Sequence, residues 1–307
     1  MAASAPGKLI LFGEHAVVFG EPALSTAITL RAEVYARPHT SWLADGASLD
    51  EPRFRYVKAC VQKARAKGPL WIEIRSMVPS GAGLGSSAAV TVATLGALHQ
   101  AGGALDPRTI ARDAFEVEHE VQGRASPIDT STASAGGGIL VLRQPKEGLL
   151  WSIERDRRRW FLHRIDLPPL DLVVGNTGIS AATGPLVAKV KDRVDRDRLA
   201  ADAIREIGVL TLDGLRALQR KDLESAGRLM DRDHALLTQL GVGHPALDRL
   251  VEAARPSSYG AKLTGAGGGG SIVALTDRPG PTAEAIRAAG GTAFVVRPDP
   301  VGVAKLG

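Results

Sequence analysis

Charged and imidazole side chains flank one strongly apolar run near the start of the chain. Lys8 precedes the run Leu9 to Phe12, and Glu14 and His15 follow it. A charge in or beside a buried strand is costly unless it has a partner. Taken singly, Lys8 is typical of a surface lysine and His15 of a hydrogen-bonded core histidine. Their grouping at the ends of one predicted strand favours a shared chemical function.

Two further carboxylates occupy positions from which they could enter a site. Glu118 lies on a predicted helix that begins at Asp106-Pro107, an N-cap followed by proline, and ends at Gly123. Around the helix axis it is offset by about one residue from the apolar stripe of that helix. It can therefore face an interior cleft or be a solvated carboxylate. Asp129 lies in a predicted loop of small and hydroxyl residues, where it could cap a helix or accept a proton.

Three glycines, at positions 81, 83 and 85, lie between a predicted strand and a predicted helix. Residues 70–76 alternate as a half-buried strand, and the helix after Ser86 or Ser87 has no polar face, which predicts burial. Backbone N–H groups and the helix dipole could hold a phosphate here. The spacing fits neither the P-loop nor the G-x-G-x-x-G fingerprint. A phosphate site and a merely tight turn therefore both remain open.

A second glycine-rich stretch runs from Gly260 to Ser271, between two predicted strands, and has five glycines in the six positions 265–270. Ordering so many glycines costs conformational entropy, which a structural turn alone would not justify. The stretch predicts a close backbone approach to a ligand or to the first glycine loop.

Composition and charge argue against a membrane protein, a secreted protein and a nucleic-acid-binding protein. The chain has 307 residues, 44% hydrophobic and 23% charged, with a single cysteine and a formal net charge of +5. No apolar run approaches a membrane span and no secretory signal is visible, so we expect a cytoplasmic protein without membrane contact. The one dense basic cluster, residues 155–164, is interrupted by acidic residues, and we expect no nucleic-acid partner.

The pattern of elements changes around Pro168-Pro169, which predicts a domain boundary near residue 166. Helices are predicted at about 184–192, 196–219 and 222–240, and a fourth begins at Pro245.

Three segments, taken in order, resemble the motifs of one family, the GHMP small-molecule kinases. They are Pro6 to Val18, Pro79 to Ala89 and Lys262 to Gly270, and with SPIDTSTASAGG between the last two the match covers the whole chain. The resemblance implies a two-domain α+β fold. It comprises an N-terminal α/β nucleotide-binding domain over residues 1–165 and a C-terminal ferredoxin-like domain over 166–307, with the active site between them.

The resemblance also implies ATP and Mg²⁺ as cofactors. Ser87 and Glu118 match the Mg²⁺ ligands of the family. The implied ATP-binding residues form the central glycine loop and the start of the next helix: Pro79, Ser80, Gly81, Ala82, Gly83, Leu84, Gly85, Ser86 and Ser87.

The form GKLILFGEHAVV of the first segment is most similar to family members that act on mevalonate. It implies phosphorylation of the C5 hydroxyl of mevalonate, a step of isoprenoid precursor synthesis. Asp129 matches the catalytic aspartate and Lys8 the lysine that pairs with it. Glu14, His15 and Thr183 would complete the acceptor pocket, and a homodimer remains open.

Several alternatives remain at this point. Other family members act on phosphomevalonate, on the 3-hydroxyl of mevalonate, on homoserine or on galactose, although galactokinases usually read GEHTDY where this chain has GEHAVV. A non-catalytic binder of nucleotide or nucleic acid is the alternative from another class. The joint presence of Lys8, Ser87, Glu118 and Asp129 argues against it, because a binder needs no proton acceptor.

Overall fold

A computed structural model describes residues 1–100, 103, 105–123, 125–180 and 182–307. In that part of the chain two β-sheets, each covered by helices, form an α+β protein.

The first sheet contains most of the N-terminal half. Its strands from this half are β1 (Ala2–Phe12), β2 (Ala23–Pro38), β3 (Leu43–Ala44), β4 (Ala47–Ser48), β5 (Leu70–Ser76), β6 (Gly138–Leu142), β7 (Leu149–Arg155) and β8 (Arg158–Ile165). They run in the order β4-β3-β5-β2-β6-β8-β7, and β1 pairs antiparallel with β2. The accompanying helices are α1 (Arg55–Lys63), α2 (Ser86–His99), α3 (Pro107–Gln122) and α4 (Ile128–Ala135).

The second sheet is antiparallel and consists of the four strands β9 (Asp171–Asn176), β10 (Gly260–Thr264), β11 (Ser271–Thr276) and β12 (Thr292–Val296). Their order across the sheet is β10-β11-β9-β12. The helices are α5 (Thr183–Arg196), α6 (Arg198–Gln219), α7 (Leu223–Gln239), α8 (Pro245–Ala254) and α9 (Pro279–Ala288). Helices α5 to α8 follow β9, and α9 follows β11. Together with the strand order, this gives the ferredoxin-like arrangement that the family resemblance implies.

Strand β1 is the element on which both halves of the protein pack. It contacts α2 and α4 of the first half and α6 and α7 of the second. Every residue from Ala3 to Phe12 is therefore buried, including Lys8. This pattern explains the long apolar run in the sequence, because a strand covered on both faces has no alternating polar side.

Helices α2 and α3 follow the sequence prediction closely. α2 buries ten of its fourteen residues, as expected for a helix without a polar face. α3 begins after Asp106, whose carboxylate accepts hydrogen bonds from the backbone N–H groups of Arg108 and Thr109. It ends at Gly123 in the left-handed conformation, with φ of 77°.

The predicted loop around Asp129 is in fact helical. Ile128–Ala135 forms α4, and the interpretation of Asp129 as a helix cap is wrong because Pro127 holds the cap position. Small hydroxyl residues favour loops in isolation, but here Thr130 to Ala135 are buried against α3 and β1. Tertiary packing overrides their local preference.

The last residues of the chain return to the first sheet. β13 (Ala304–Lys305) pairs with β1, and the Leu306 N–H donates to the Ala2 carbonyl at 3.0 Å. Asp299 pairs with Arg31 on β2. We propose that the domain boundary lies near residue 166, between β8 and β9. The segment from Asp299 to Leu306 then crosses back from the second domain to the first. None of the described helices is long and apolar enough to cross a membrane.

Candidate active site

The first glycine loop forms a cradle at the start of α2. Gly81, Gly83 and Gly85 have φ of 71°, 74° and 70°, a left-handed conformation that side chains disfavour. Gly85 is the N-cap of α2 and supplies no side-chain hydrogen bond, so the first N–H groups of the helix lack a side-chain cap. This geometry suits a phosphate rather than a simple tight turn.

The second glycine stretch packs against the first, which confirms its predicted close approach. A Cβ placed on Gly83 would lie 3.2 Å from the Thr264 carbonyl oxygen, and one on Gly265 would lie 3.5 Å from the Gly83 Cα. Ser180 closes over the loop from the second half, since a Cβ on Gly81 would lie 2.6 Å from its Oγ. This cradle is thus lined by both halves of the protein.

Lys8 connects this cradle to Asp129. Its Nζ lies 3.1 Å from Asp129 Oδ2 and donates a hydrogen bond to the Gly83 carbonyl at 3.2 Å. The lysine stem runs beneath Gly85, where an added Cβ would lie 2.8 Å from Lys8 Cγ. The Lys8 side chain is 3% exposed and that of Asp129 is 30% exposed. The aspartate is therefore the member of the pair that a ligand can reach.

Ser87 and Glu118 meet beside that pair. Ser87 Oγ donates to Glu118 Oε1 at 3.3 Å. Burial, together with the nearby Asp129 charge, raises the pKa of Glu118 to about 8 against the opposing effects of the Ser87 hydrogen bond and the Lys8 charge. A buried carboxylate in this state gains from a nearby cation.

The oxygens of Ser87 and Glu118 fit Mg²⁺, which binds to one or two protein oxygens and otherwise to phosphates and water. The described residues contain no cluster of three or more His, Cys, Asp or Glu side chains able to hold a metal alone. A metal here would therefore depend on the nucleotide for its remaining ligands.

Glu14 and His15 form the turn after β1 and are both buried. Lys262 Nζ donates to Glu14 Oε1. His15 has φ of 59°, and its Nε2 lies 2.9 Å from the Ala266 carbonyl oxygen. Because a carbonyl only accepts hydrogen bonds, Nε2 carries the proton. Nδ1 is then a buried acceptor without a partner in the described part of the chain. Burial lowers the pKa of His15.

The structure brings Lys8, Asp129, Ser87 and Glu118 together around the glycine loop. It holds Glu14 and His15 against the second glycine stretch. Thr183 is the first residue of α5 and is exposed, with no hydrogen bond to these side chains in the residues described. Its contact with the acceptor stays a prediction.

Three residues of this region were not predicted from the sequence as parts of the site: Ser180, Lys262, and Asp233 of α7, whose Oδ2 lies 3.3 Å from Lys262 Nζ. Lys262 carries the same signal as Lys8, a charge inside an apolar strand, and could have been found by it. Asp233 and Ser180 give no such signal, because their importance comes from contacts between distant segments.

The comparisons with known proteins agree with this geometry. Family models described as the GHMP kinases N terminal domain and the GHMP kinases C terminal match residues 55–138 and 215–295. A mevalonate kinase of Pyrococcus horikoshii is 37% identical over 96% of this chain and 94% of its own length. The chain belongs to the GHMP kinase family.

Two solved GHMP kinases superpose over nearly the whole chain. The Methanococcus jannaschii mevalonate kinase has a TM-score of 0.81 and 27% identity, covering 97% of this chain and 98% of its own. The L. major mevalonate kinase, in complex with R-mevalonate, has a TM-score of 0.81 and 28% identity, covering 97% of this chain and 96% of its own. The two-domain fold of this GHMP kinase is therefore that of these neighbours.

Proposed function

We propose that this GHMP kinase transfers the γ-phosphoryl group of ATP to the C5 hydroxyl of mevalonate, giving 5-phosphomevalonate. The observation that carries the reaction type is the Lys8–Asp129 pair, 3.1 Å apart, beside the glycine loop. The choice of acceptor is supported by the name of the Pyrococcus horikoshii relative and by the R-mevalonate bound to the L. major neighbour.

Asp129 is the proposed acceptor of the hydroxyl proton. Lys8 and Glu118 are almost fully buried, whereas Asp129 is 30% exposed, so it is the carboxylate that a bound alcohol can contact. A primary alcohol has a pKa far above neutrality, and its attack on a phosphoryl group is helped by a positioned base. Lys8 holds that base beside the loop and stabilises charge that develops on the attacking oxygen.

Ser87 and Glu118 are the proposed protein ligands of Mg²⁺. When bound, the ion would neutralise charge on the β and γ phosphates of ATP. Uncapped N–H groups at the start of α2 would also hold these phosphates.

His15 is proposed to contact a hydroxyl of the acceptor rather than its carboxylate. Its lowered pKa leaves the imidazole neutral at physiological pH, so it offers no positive charge to an acid. With Nε2 donating to Ala266, the free atom is Nδ1, which only accepts. A hydroxyl donor such as that on C3 of mevalonate matches this atom chemically, and it would reach Nδ1 only after the turn around His15 opens, because Nδ1 is buried.

The test is to incubate the protein with MgATP and mevalonate and to locate phosphate in the product by phosphorus–proton NMR coupling. Coupling to a CH₂ group is expected. A product phosphorylated at C3, or a preference for 5-phosphomevalonate, homoserine or galactose as acceptor, would assign the chain to another activity of the family. ATP consumption that no alcohol stimulates would remove the kinase assignment.

A further inference from the structure

A fully buried cluster of three charged side chains lies outside the catalytic pair. Lys262 on β10 donates to Glu14, in the turn after β1, and its Nζ lies 3.3 Å from Asp233 Oδ2 on α7. The Lys262 and Asp233 side chains are 0% exposed and that of Glu14 is 1% exposed. The cluster joins the first half of the protein to two elements of the second.

The composition of the cluster makes it a poor source of stability. Two carboxylates share one ammonium, and burial raises the pKa of Glu14 to about 7 and also raises that of Asp233. Of their four oxygens, three accept no hydrogen bond within the described residues. A buried ion set of this kind often contributes less than well-packed apolar side chains of similar size. Its charges therefore call for a reason other than packing.

The position of Lys262 supplies that reason. Three alternate residues of the second glycine stretch, namely Lys262, Thr264 and Ala266, each contact the segment 10–15. Lys262 binds Glu14, Thr264 Oγ1 exchanges two hydrogen bonds with the backbone of Ile10, and Ala266 accepts from His15. One edge of the second half thus fixes the conformation of the segment 10–15.

The most strained residue of that segment is His15. It holds a left-handed conformation, with φ of 59°, that is unfavourable for residues other than glycine. Such a turn persists only where its surroundings hold it. Glu14, fixed by Lys262, immediately precedes it, and Ala266 holds the imidazole from the other side.

We propose that Lys262, together with Asp233, is a positioning residue that fixes Glu14 and so sets the orientation of the His15 imidazole toward the phosphoryl acceptor. This inference rests on the proposed function for the identity of the acceptor. Lys262 touches neither substrate, because it is fully buried. Its loss changes acceptor binding more than nucleotide binding, since the glycine loop is held separately by Lys8.

The experiment compares the parent with Lys262→Met, which removes the ammonium and keeps an unbranched chain. We expect a rise of about tenfold or more in KM for mevalonate, with KM for ATP within about twofold, because small misplacement of a binding group is costly. Imidazole ¹⁵N–¹H NMR spectra, recorded without substrate and assigned with His15→Gln, should show shifted His15 signals.

Arg31→Met is the matched control, since it breaks another ion pair between distant segments, with Asp299. It should change neither the KM for mevalonate nor the His15 signals.

Glu14→Gln serves if Lys262→Met fails to fold, because it keeps the shape of the cluster and removes one buried charge. It should also shift the His15 signals without substrate. Signals that coincide with those of the parent in every folded variant, or equal rises in both KM values, would overturn the positioning role. A parent protein that does not phosphorylate mevalonate would instead overturn the proposed function, while the substrate-free spectra still test the positioning.

Discussion

Lys8 and Asp129 form an ion pair of 3.1 Å in which the lysine is buried and the aspartate is partly open to solvent. The same ammonium donates to the Gly83 carbonyl. One lysine thus sets the distance between the proposed base and the glycine loop. A kinase needs that distance to be fixed, because catalysis of phosphoryl transfer consists mostly of positioning and charge stabilisation.

Asp129→Asn should lower kcat by about 10² or more while leaving ATP affinity within about twofold, because it removes a proton acceptor but no phosphate contact. Steady-state kinetics and calorimetric titration with ATP measure the two effects. Asp192→Asn, an exposed carboxylate on α5, is the control. A mutant rate within a few-fold of the parent would exclude Asp129 as the base.

Ser87→Ala and Glu118→Gln should each raise the Mg²⁺ concentration for half-maximal rate, by about tenfold, because each removes an oxygen ligand of a hard cation. The measurement is a Mg²⁺ titration at saturating ATP. Glu116→Gln, two residues earlier on the same helix and paired with Lys63, should keep the parent midpoint. Unchanged midpoints in both site variants would show that the metal binds elsewhere.

Gly83→Ala should weaken ATP binding and also lower the free energy of unfolding. The left-handed conformation alone costs alanine on the order of 1–2 kcal/mol. Gly46→Ala is matched for this strain, with φ of 78°, but an added Cβ there meets nothing within 4 Å. Both variants should lose stability in urea, and only Gly83→Ala should lose ATP affinity. Equal ATP affinity in the two would argue against a phosphate at Gly83.

The stability of the protein should depend on pH through Glu14. Its pKa is raised from 4.5 to about 7 in the folded state, chiefly by burial, so the folded protein keeps a proton that the unfolded chain has lost. The contribution is present below pH 4.5 and is lost as pH rises to about 7, with a size on the order of 3 kcal/mol.

Urea unfolding of the parent and of Glu14→Gln between pH 4.5 and 8 measures this contribution as the difference between the two. The free energy of unfolding of the parent, measured relative to that of Glu14→Gln, should fall as the pH rises. Glu147→Gln, an exposed carboxylate, should run parallel to the parent. A pH-independent difference between the parent and Glu14→Gln would show that Glu14 titrates alike in both states.

Local patterns in the sequence predicted much of this protein. Strand β5 has the predicted bounds of residues 70–76, and α3 begins and ends at the predicted cap and glycine, because turn and cap chemistry acts over a few residues. Lys8 and the glycine loop were found in the same way. The resemblance to the GHMP kinases supplied the pairing of Lys8 with Asp129.

Three other features that depend on contacts between distant segments were not predicted. The helix α4 forms because buried surroundings outweigh the preference of its hydroxyl residues for loops. Asp233 is one of many acidic residues on helices until β10 brings Lys262 against it. The return of β13 to β1 depends on two short segments with little pattern of their own.

That return of β13 has a consequence for how the protein is made. On the ribosome, strands β1 to β8 of the first sheet emerge long before Ala304, which pairs with Ser4 of β1, has been synthesised. Until then the β1 edge lacks the pairing and the Leu306 hydrogen bond that finish it. A nascent chain stalled after residue 296 should therefore be cleaved by protease within the first half more readily than the released protein. Newly made molecules would acquire their full resistance only when synthesis reaches the end of this segment.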